Sequence, residues 1–319
     1  MGGSYGSPSY GGGSYSACAD SSQPGVSPIV SYLKSLPTPI DPRCEKGHYY
    51  LLNNYNPGYF GNGKNAYTDT SADNTVFTIP PSSVPSIGDT LLKAKISWKY
   101  YGDQWDNYVP DPYQLNYGAI GANTDEYCNI CNPFQYDTSI MADAAVRTAH
   151  IQDTANLYAD IANGTLPAVS FVKPSGLVDG HPASSKLDLF EGFSKKIVDA
   201  VKANPDLWKD TAIFITFDEG GGYYDSGYVQ PLDFFGDGTR IPLIAVSRFT
   251  KAGHISHDYA DHVSILKFIE RNWNLPTVTK RSRDNFPNPD SHWSNPYVPR
   301  NSPAISDLFD LFDFDHHWD

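Results

Sequence analysis

The sequence predicts an α/β protein, a mostly parallel sheet flanked by helices. Two observations carry this. From residue 168 onward, short apolar β-branched runs alternate with longer amphipathic segments. The run Thr211–Phe217 is followed at once by Asp218-Glu219-Gly220-Gly221-Gly222, a strand signal ending in a turn signal. Right-handed crossovers are the usual way to connect successive parallel strands through helices, which fits the spacing.

The elements follow in order. Residues 1–20 form a low-complexity Gly/Ser/Tyr segment with little to bury. A short helix is expected over Ser27–Leu36. Residues 37–80, dense in Asn, Gly, Tyr and Pro, read as irregular loops. Ser86-Ile-Gly-Asp89 opens a short helix through Lys93, and Ala94–Tyr101 reads as a strand with Ile96 and Trp98 on one face. Residues 102–137 are again loop-like. One long helix, Ser139–Ala162, is expected next.

Ala168–Val172 is a strand, and Lys186–Ala203 is a helix with Phe190, Phe193, Ile197 and Val201 at helical spacing. Ile213–Phe217 reads as a strand buried on both faces, and Ile241–Val246 as another. Asp261–Trp273 is a helix with Val263, Leu266, Ile269 and Trp273 along one face. The Pro- and Asn-rich stretch from Thr277 reads as a surface wrap, with residues 313–319 as a tail; residues 21–312 make up the body of the domain.

Composition narrows the partners. The 319 residues carry a net charge of -13, with 40% hydrophobic and 18% charged residues. No Lys/Arg cluster could displace counterions from nucleic acid, and docking on anionic membranes is disfavoured. No apolar run reaches the roughly 18 residues a membrane span requires, and no signal peptide stands at the N-terminus. Of the four cysteines, Cys128-Asn-Ile-Cys131 has zinc-like spacing, but Cys18 and Cys44 lack the spacing of a metal knuckle. Two disulfides, Cys18–Cys44 and Cys128–Cys131, are therefore preferred, which implies an oxidising compartment, periplasmic or secreted.

Chemistry is expected where strands end. Ala168–Val172 runs into Lys173 and then His181; the next strand delivers Asp218 and Glu219; Ile241–Val246 runs on to His254 and His257. If the three strands are parallel neighbours, these groups share one sheet edge. Histidine and carboxylate oxygen are common ligands for divalent cations in hydrolases. Each residue keeps a plainer reading. Asp218-Glu219 makes an ordinary acidic turn and His181, before Pro182, a turn residue; His254 reads as an exposed loop residue, and His257 stands between the two readings. Lys173 faces water or a phosphate, with water preferred. Asp261, beside His262, caps a helix, and His316-His317 is a solvated tail. No HExxH, G-x-S-x-G or Gly-Lys-Ser/Thr phosphate loop occurs.

Phe217-Asp-Glu-Gly-Gly-Gly-Tyr-Tyr-Asp225, Arg240–Ser247, Gly253–His257 and Asp261–Glu270, with Pro182–Asp188 and the stretch around His48, resemble the bacterial phospholipase C and acid phosphatase family of phosphoesterases. The resemblance covers most of residues 17–312. It implies an alkaline-phosphatase-like fold, a phosphate-ester substrate that is a lipid or a small molecule, and a divalent metal ion held by Asp218 and Glu219. It further implies a catalytic His181 beside the phosphate or leaving group, and His257 as a ligand or phosphate contact.

The family's opening Glu-Asn-Arg-Ser-Phe-Asp strand and its hydroxyl nucleophile find no match. Ser4, Ser7 and Thr68 are available hydroxyls, but none follows a strand into a helix. The expectation is an N-terminally truncated member, catalytically incomplete alone, whose nucleophile lies upstream. The Tyr/Trp/Asn-rich loops of residues 49–117 suggest an alternative, a secreted non-catalytic glycan-binding module. A sulfatase would share the fold, but its modified Cys or Ser motif is absent.

Overall fold

A computed structural model describes residues 15–51, 55–69, 78–117, 126–182, 184–291 and 294–315. The chain divides into two compact units. The first draws on residues 1–54, 216–244 and 250–316, the second on 55–215, 245–249 and 317–319. Ser4, Ser7, His316 and His317 lie outside the described residues.

The first unit opens with a small antiparallel ladder, β1 (Tyr15–Ser16) against β2 (Tyr50–Leu51), enclosing helix α1 (Val26–Ser35), which buries Val26 and Leu33. The Cys18–Cys44 bridge, with Cα atoms 5.6 Å apart, ties this segment together.

The second unit is built on a parallel sheet. Helix α2 (Ile87–Ala94) starts at a Ser86–Asp89 capping box, as its sequence requires, and Lys95 ends it in the left-handed conformation at φ 59°. That turn consumes the residues expected to begin the next strand, so β3 spans Trp98–Gly102. A short turn, α3 (Trp105–Tyr108), follows.

The single helix expected over 139–162 is broken into α4 (Thr138–Met141), α5 (Ala144–His150), strand β4 (Ile151–Asp153) and α6 (Thr154–Asn163). Asp143 accepts hydrogen bonds from the backbone N–H groups of Ala145 and Val146, and Asp153 from that of Ala155, so each aspartate starts a new helix. Between them, β-branched Ile151 is buried and pairs with Tyr100 in the sheet. Tertiary pairing here overrides local helix propensity.

Strand β5 (Val169–Lys173) completes the order β4-β3-β5, with Trp98 paired to Val169 and Gly102 to Lys173. One face of β3 contributes Tyr101 to a core with Leu157, Ile161 and Val201; the last belongs to the amphipathic helix α7 (Leu187–Lys202). The opposite face carries an aromatic cluster in which Trp98 packs on Phe134 and stacks on His150 at 4.4 Å. A short helix α8 (Pro205–Trp208) leads to β6 (Ile213–Thr216), which pairs with β7 (Leu243–Val246) in a separate two-stranded sheet.

Two expectations need correction. β5 hydrogen-bonds to β3, not to β6, so the three strand ends do not lie along one hydrogen-bonded sheet. All four residues of β6 are also half-buried rather than enclosed on both faces, since only β7 flanks the strand among the described residues.

The first unit closes around helix α9 (Val263–Asn272). It buries Phe268 and Ile269, but also Ser264, Lys267 and Glu270, so its inner face is more polar than the apolar spacing suggests. Phe268 packs against Phe309 and Phe312. The Lys267 ammonium donates to the carbonyls of Phe286 and Ile305 and to Asn288 Oδ1. Arg283 grips Asp233 through two 2.9 Å hydrogen bonds and stands 3.6 Å from Asp261. Such forked pairs are the strong form of charge-assisted bonding.

Candidate functional site

The carboxylate pair sits on a turn that its sequence shapes. Gly221 and Gly222 take φ values of 62° and 73°, which side-chain-bearing residues rarely adopt. A Cβ at Gly220 would collide with the Thr239 hydroxyl. Asp218 Oδ1 accepts the Glu219 N–H at 3.0 Å, and Glu219 Oε2 accepts that of Gly221 at 2.6 Å. Both carboxylates are exposed. The acidic-turn reading therefore holds as local structure, and each residue keeps a second oxygen for a ligand.

Two contacts hold this turn in place. The His262 Nε2 atom lies 2.9 Å from the carbonyl oxygen of Phe217. Asp225 forms an ion pair with Arg240 at 2.6 Å and also accepts the backbone N–H groups of Arg240 and Gly227. These donors hold the Asp225 carboxyl well below the usual carboxylate range, with the Arg240 side chain the largest influence. Gly227 permits the pair, because a Cβ there would strike the Arg240 guanidinium. Tyr223 and Tyr224 are 67% and 93% exposed, so glycine and the ion pair, not aromatic packing, shape the loop.

The histidines are placed as follows. His257 belongs to the same unit as the carboxylates, is exposed, and meets the Tyr297 ring edge-on at 4.9 Å. His254 Nε2 stands 3.6 Å from Asp310 Oδ2, an ion contact its sequence did not announce. Asp261 does cap helix α9, accepting the Val263 N–H at 2.8 Å, and burial beside Asp237 raises its pKa. His262 carries the contact to Phe217 that sequence reasoning missed. The signal was its position one residue after a capping aspartate, where the first helical turn can reach a neighbouring strand end.

His181 lies in the second unit, exposed, on the loop that leaves β5. Its backbone N–H donates to Asp179 Oδ1 at 2.9 Å, and its carbonyl accepts from Ser184 and Ser185. Lys173 does not simply face water: its ammonium pairs with Asp179 Oδ2 at 3.3 Å and donates to the Pro174 carbonyl. The same sheet end holds Thr154, a hydroxyl at a strand-to-helix turn. It is 5% exposed and donates to Asp103 Oδ1 at 2.9 Å, a buried structural bond that leaves it closed to substrate. Thr68 lies in a surface turn, its N–H donating to Asn65 Oδ1.

Hard carboxylate oxygens suit Mg²⁺, Mn²⁺ or Ca²⁺, so Asp218 and Glu219 fit such an ion in chemical kind. They do not fit in number. Among the described residues, no group of three or more His, Cys, Asp or Glu is gathered to hold a metal. The Cys18–Cys44 and Cys128–Cys131 pairs are disulfides, as expected, which removes a cysteine zinc site. No helix among the described residues is long and apolar enough to cross a membrane.

Residues 13–276 match the Phosphoesterase family. A non-hemolytic phospholipase C of Burkholderia pseudomallei is 28% identical over 330 residues, covering 85% of this chain and 44% of the relative. A hemolytic phospholipase C of Pseudomonas aeruginosa is 25% identical over 274 residues, 73% of this chain and 37% of the relative. An acid phosphatase of Aspergillus niger is 26% identical over 208 residues, 65% of this chain and 46% of the relative. The chain thus spans less than half the length of these curated relatives.

Proposed function

The chain belongs to the Phosphoesterase family, and we propose that it contributes part of a site that hydrolyses phosphate esters of the phospholipase C or acid phosphatase type. The observation that carries this reading is the match over residues 13–276, which includes the Asp218–Glu219 turn. The alkaline-phosphatase-like architecture and a periplasmic or secreted location belong to the same proposal; the parallel sheet and the two disulfides support them.

Asp218 and Glu219 are assigned to a divalent cation, which when bound polarises phosphoryl oxygens. The two carboxylates would supply part of its ligand set. What the chain's own residues do is more specific. The Asp225–Arg240 pair and His262 hold the backbone on either side of the two carboxylates. His181, exposed and anchored through Asp179, donates a proton to the leaving alkoxide. His257 contacts the phosphate. Neither Thr154, which is buried, nor Thr68, which sits in a surface turn, is assigned the attack.

The test is hydrolysis of p-nitrophenyl phosphate and phosphatidylcholine by the longest natural form of the protein, with calorimetric titration of Mn²⁺ and Ca²⁺ alongside. Loss of both turnover and cation binding in Asp218→Ala is expected. Absence of hydrolysis on both substrates, or undiminished hydrolysis in that variant, overturns the proposal.

A further inference from the structure

The second unit contains a cavity of about 190 Å³ with no part in the chemistry above. It holds far more than the roughly 10–15 Å³ one water needs, yet falls below the roughly 300–1,000 Å³ of drug-sized ligand pockets. That is the scale of one small ring. Its walls come from the Tyr- and Asn-rich loops. Tyr59, Phe60 and Tyr113 supply aromatic surface; Asn56, Gln114 and Asn129 supply amides. None of its described lining residues is charged.

The walls are preformed. Asn56 bridges to Thr78, and the Ile79 N–H donates to the Asn56 carbonyl at 3.1 Å. The Phe60 N–H donates to Lys64 at 2.9 Å and that of Ala66 to Gly58 at 2.8 Å, closing the loop into a tight hairpin. Tyr113 meets Phe60 edge-on at 5.3 Å, and its hydroxyl donates to Asp69 at 2.6 Å. Asn129 lies inside the loop closed by the Cys128–Cys131 disulfide, and its amide donates to Asn56 Oδ1 at 3.3 Å. Gln114 donates to the Tyr127 carbonyl at 2.8 Å.

We propose that this cavity binds a single neutral polyhydroxylated ring, a monosaccharide or cyclitol, at a site separate from the phosphoesterase residues. The chemistry selects the class. A charged ligand would lose hydration with no opposite charge among the described lining residues to compensate it. A purely apolar ligand would strand the amides. After the bonds above, the side-chain carbonyls of Gln114 and Asn129 are left as acceptors suited to ring hydroxyls. Aromatic surface takes the C–H face of such a ring, since its negative quadrupole attracts polarised hydrogens. The CxxC disulfide holds one of the three amides in register.

The proposal does not depend on the hydrolase reading. Saturation-transfer NMR and calorimetry on the whole chain with methyl glucoside, N-acetylglucosamine and myo-inositol test it, and the preferred probe separates a saccharide from a cyclitol. Millimolar binding of at least one probe is expected, unaffected by inorganic phosphate and by Asp218→Ala. Gln114→Ala and Asn129→Ala should each weaken it about tenfold, the scale of one lost hydrogen bond. The Cys128→Ser/Cys131→Ser double variant, with folding checked by circular dichroism, should weaken it similarly. A cavity that holds only water gives no binding with any probe, and that result overturns the proposal. So does binding that phosphate or Asp218→Ala abolishes.

Discussion

The imidazole of His262, at the start of helix α9, is hydrogen-bonded to the carbonyl oxygen of Phe217, the residue directly before the carboxylate pair. A carbonyl oxygen only accepts, so Nε2 carries the hydrogen in this contact. Helix α9 is itself anchored by buried Phe268 and by Lys267. The turn bearing Asp218 and Glu219 is therefore tied to a packed helix rather than left as a loose loop.

Replacing that imidazole should loosen the turn. His262→Ala is expected to cost about 0.5–1.5 kcal/mol of stability, the net worth of one hydrogen bond. Denaturant unfolding measures it, and cation affinity should fall in parallel. His262→Gln, which can still donate, should restore part of both.

If His181 protonates the leaving group, its loss should depend on the substrate. His181→Ala is expected to lower kcat by roughly 10²–10⁴-fold for an alkyl phosphate ester. The loss should be much smaller for p-nitrophenyl phosphate, whose leaving group needs no proton. An equal loss on both substrates would assign His181 to phosphate binding instead.

Glu270 supplies a pH dependence. Burial, with Asp284 beside it, pushes its carboxyl up to about 8, and its Oε1 has no hydrogen-bond partner among the described residues. A carboxyl whose folded pKa lies above its unfolded value binds more protons when folded. Its contribution is thus fully present below the unfolded pKa and is lost as pH rises from there through about 8. Melting temperature should fall over that interval. Glu270→Gln, which mimics the protonated form, should flatten the profile.

The two disulfides should differ in worth. Cys18 and Cys44 are 26 residues apart, Cys128 and Cys131 only 3. Loop-closure entropy gives about 3–4 kcal/mol for the longer loop and roughly half that for the shorter. Thermal melts of Cys18→Ala/Cys44→Ala and Cys128→Ala/Cys131→Ala should show the larger drop in the first.

Much of this was legible from residue order. The capping box at Ser86, the amphipathic helix around Ile197 and the apolar strands at Val169, Ile213 and Leu243 all carry their signal locally. Strand β4 was hidden, because Ala144–Asn163 satisfies helix periodicity and only pairing with Tyr100 draws Ile151 out of it. The strands were read correctly as elements, but of the three only β6 and β7 are neighbours while β5 pairs with β3: sheet order is a tertiary fact that local patterning does not encode. Asp218 and Glu219 announced themselves through the glycines beside them, whereas the only local trace of His262 is its place after Asp261, and its partner Phe217 lies 45 residues away. The polar inner face of α9 was equally invisible, since its partners, Phe286, Asn288 and Ile305, come from the later Pro- and Asn-rich stretch.

The sheet order β4-β3-β5 also governs how the second unit can assemble. The central strand is the first of the three in the chain, so Trp98 waits for Val169 and Tyr100 for Ile151 until the intervening helices have emerged. Both pairings close long loops before any ladder bond forms, and parallel ladders of this kind nucleate slowly. During synthesis, the backbone N–H and C=O groups along both edges of β3 stay unpaired for that whole interval. The second unit therefore cannot close its sheet until its last strand is present, although its central strand comes first.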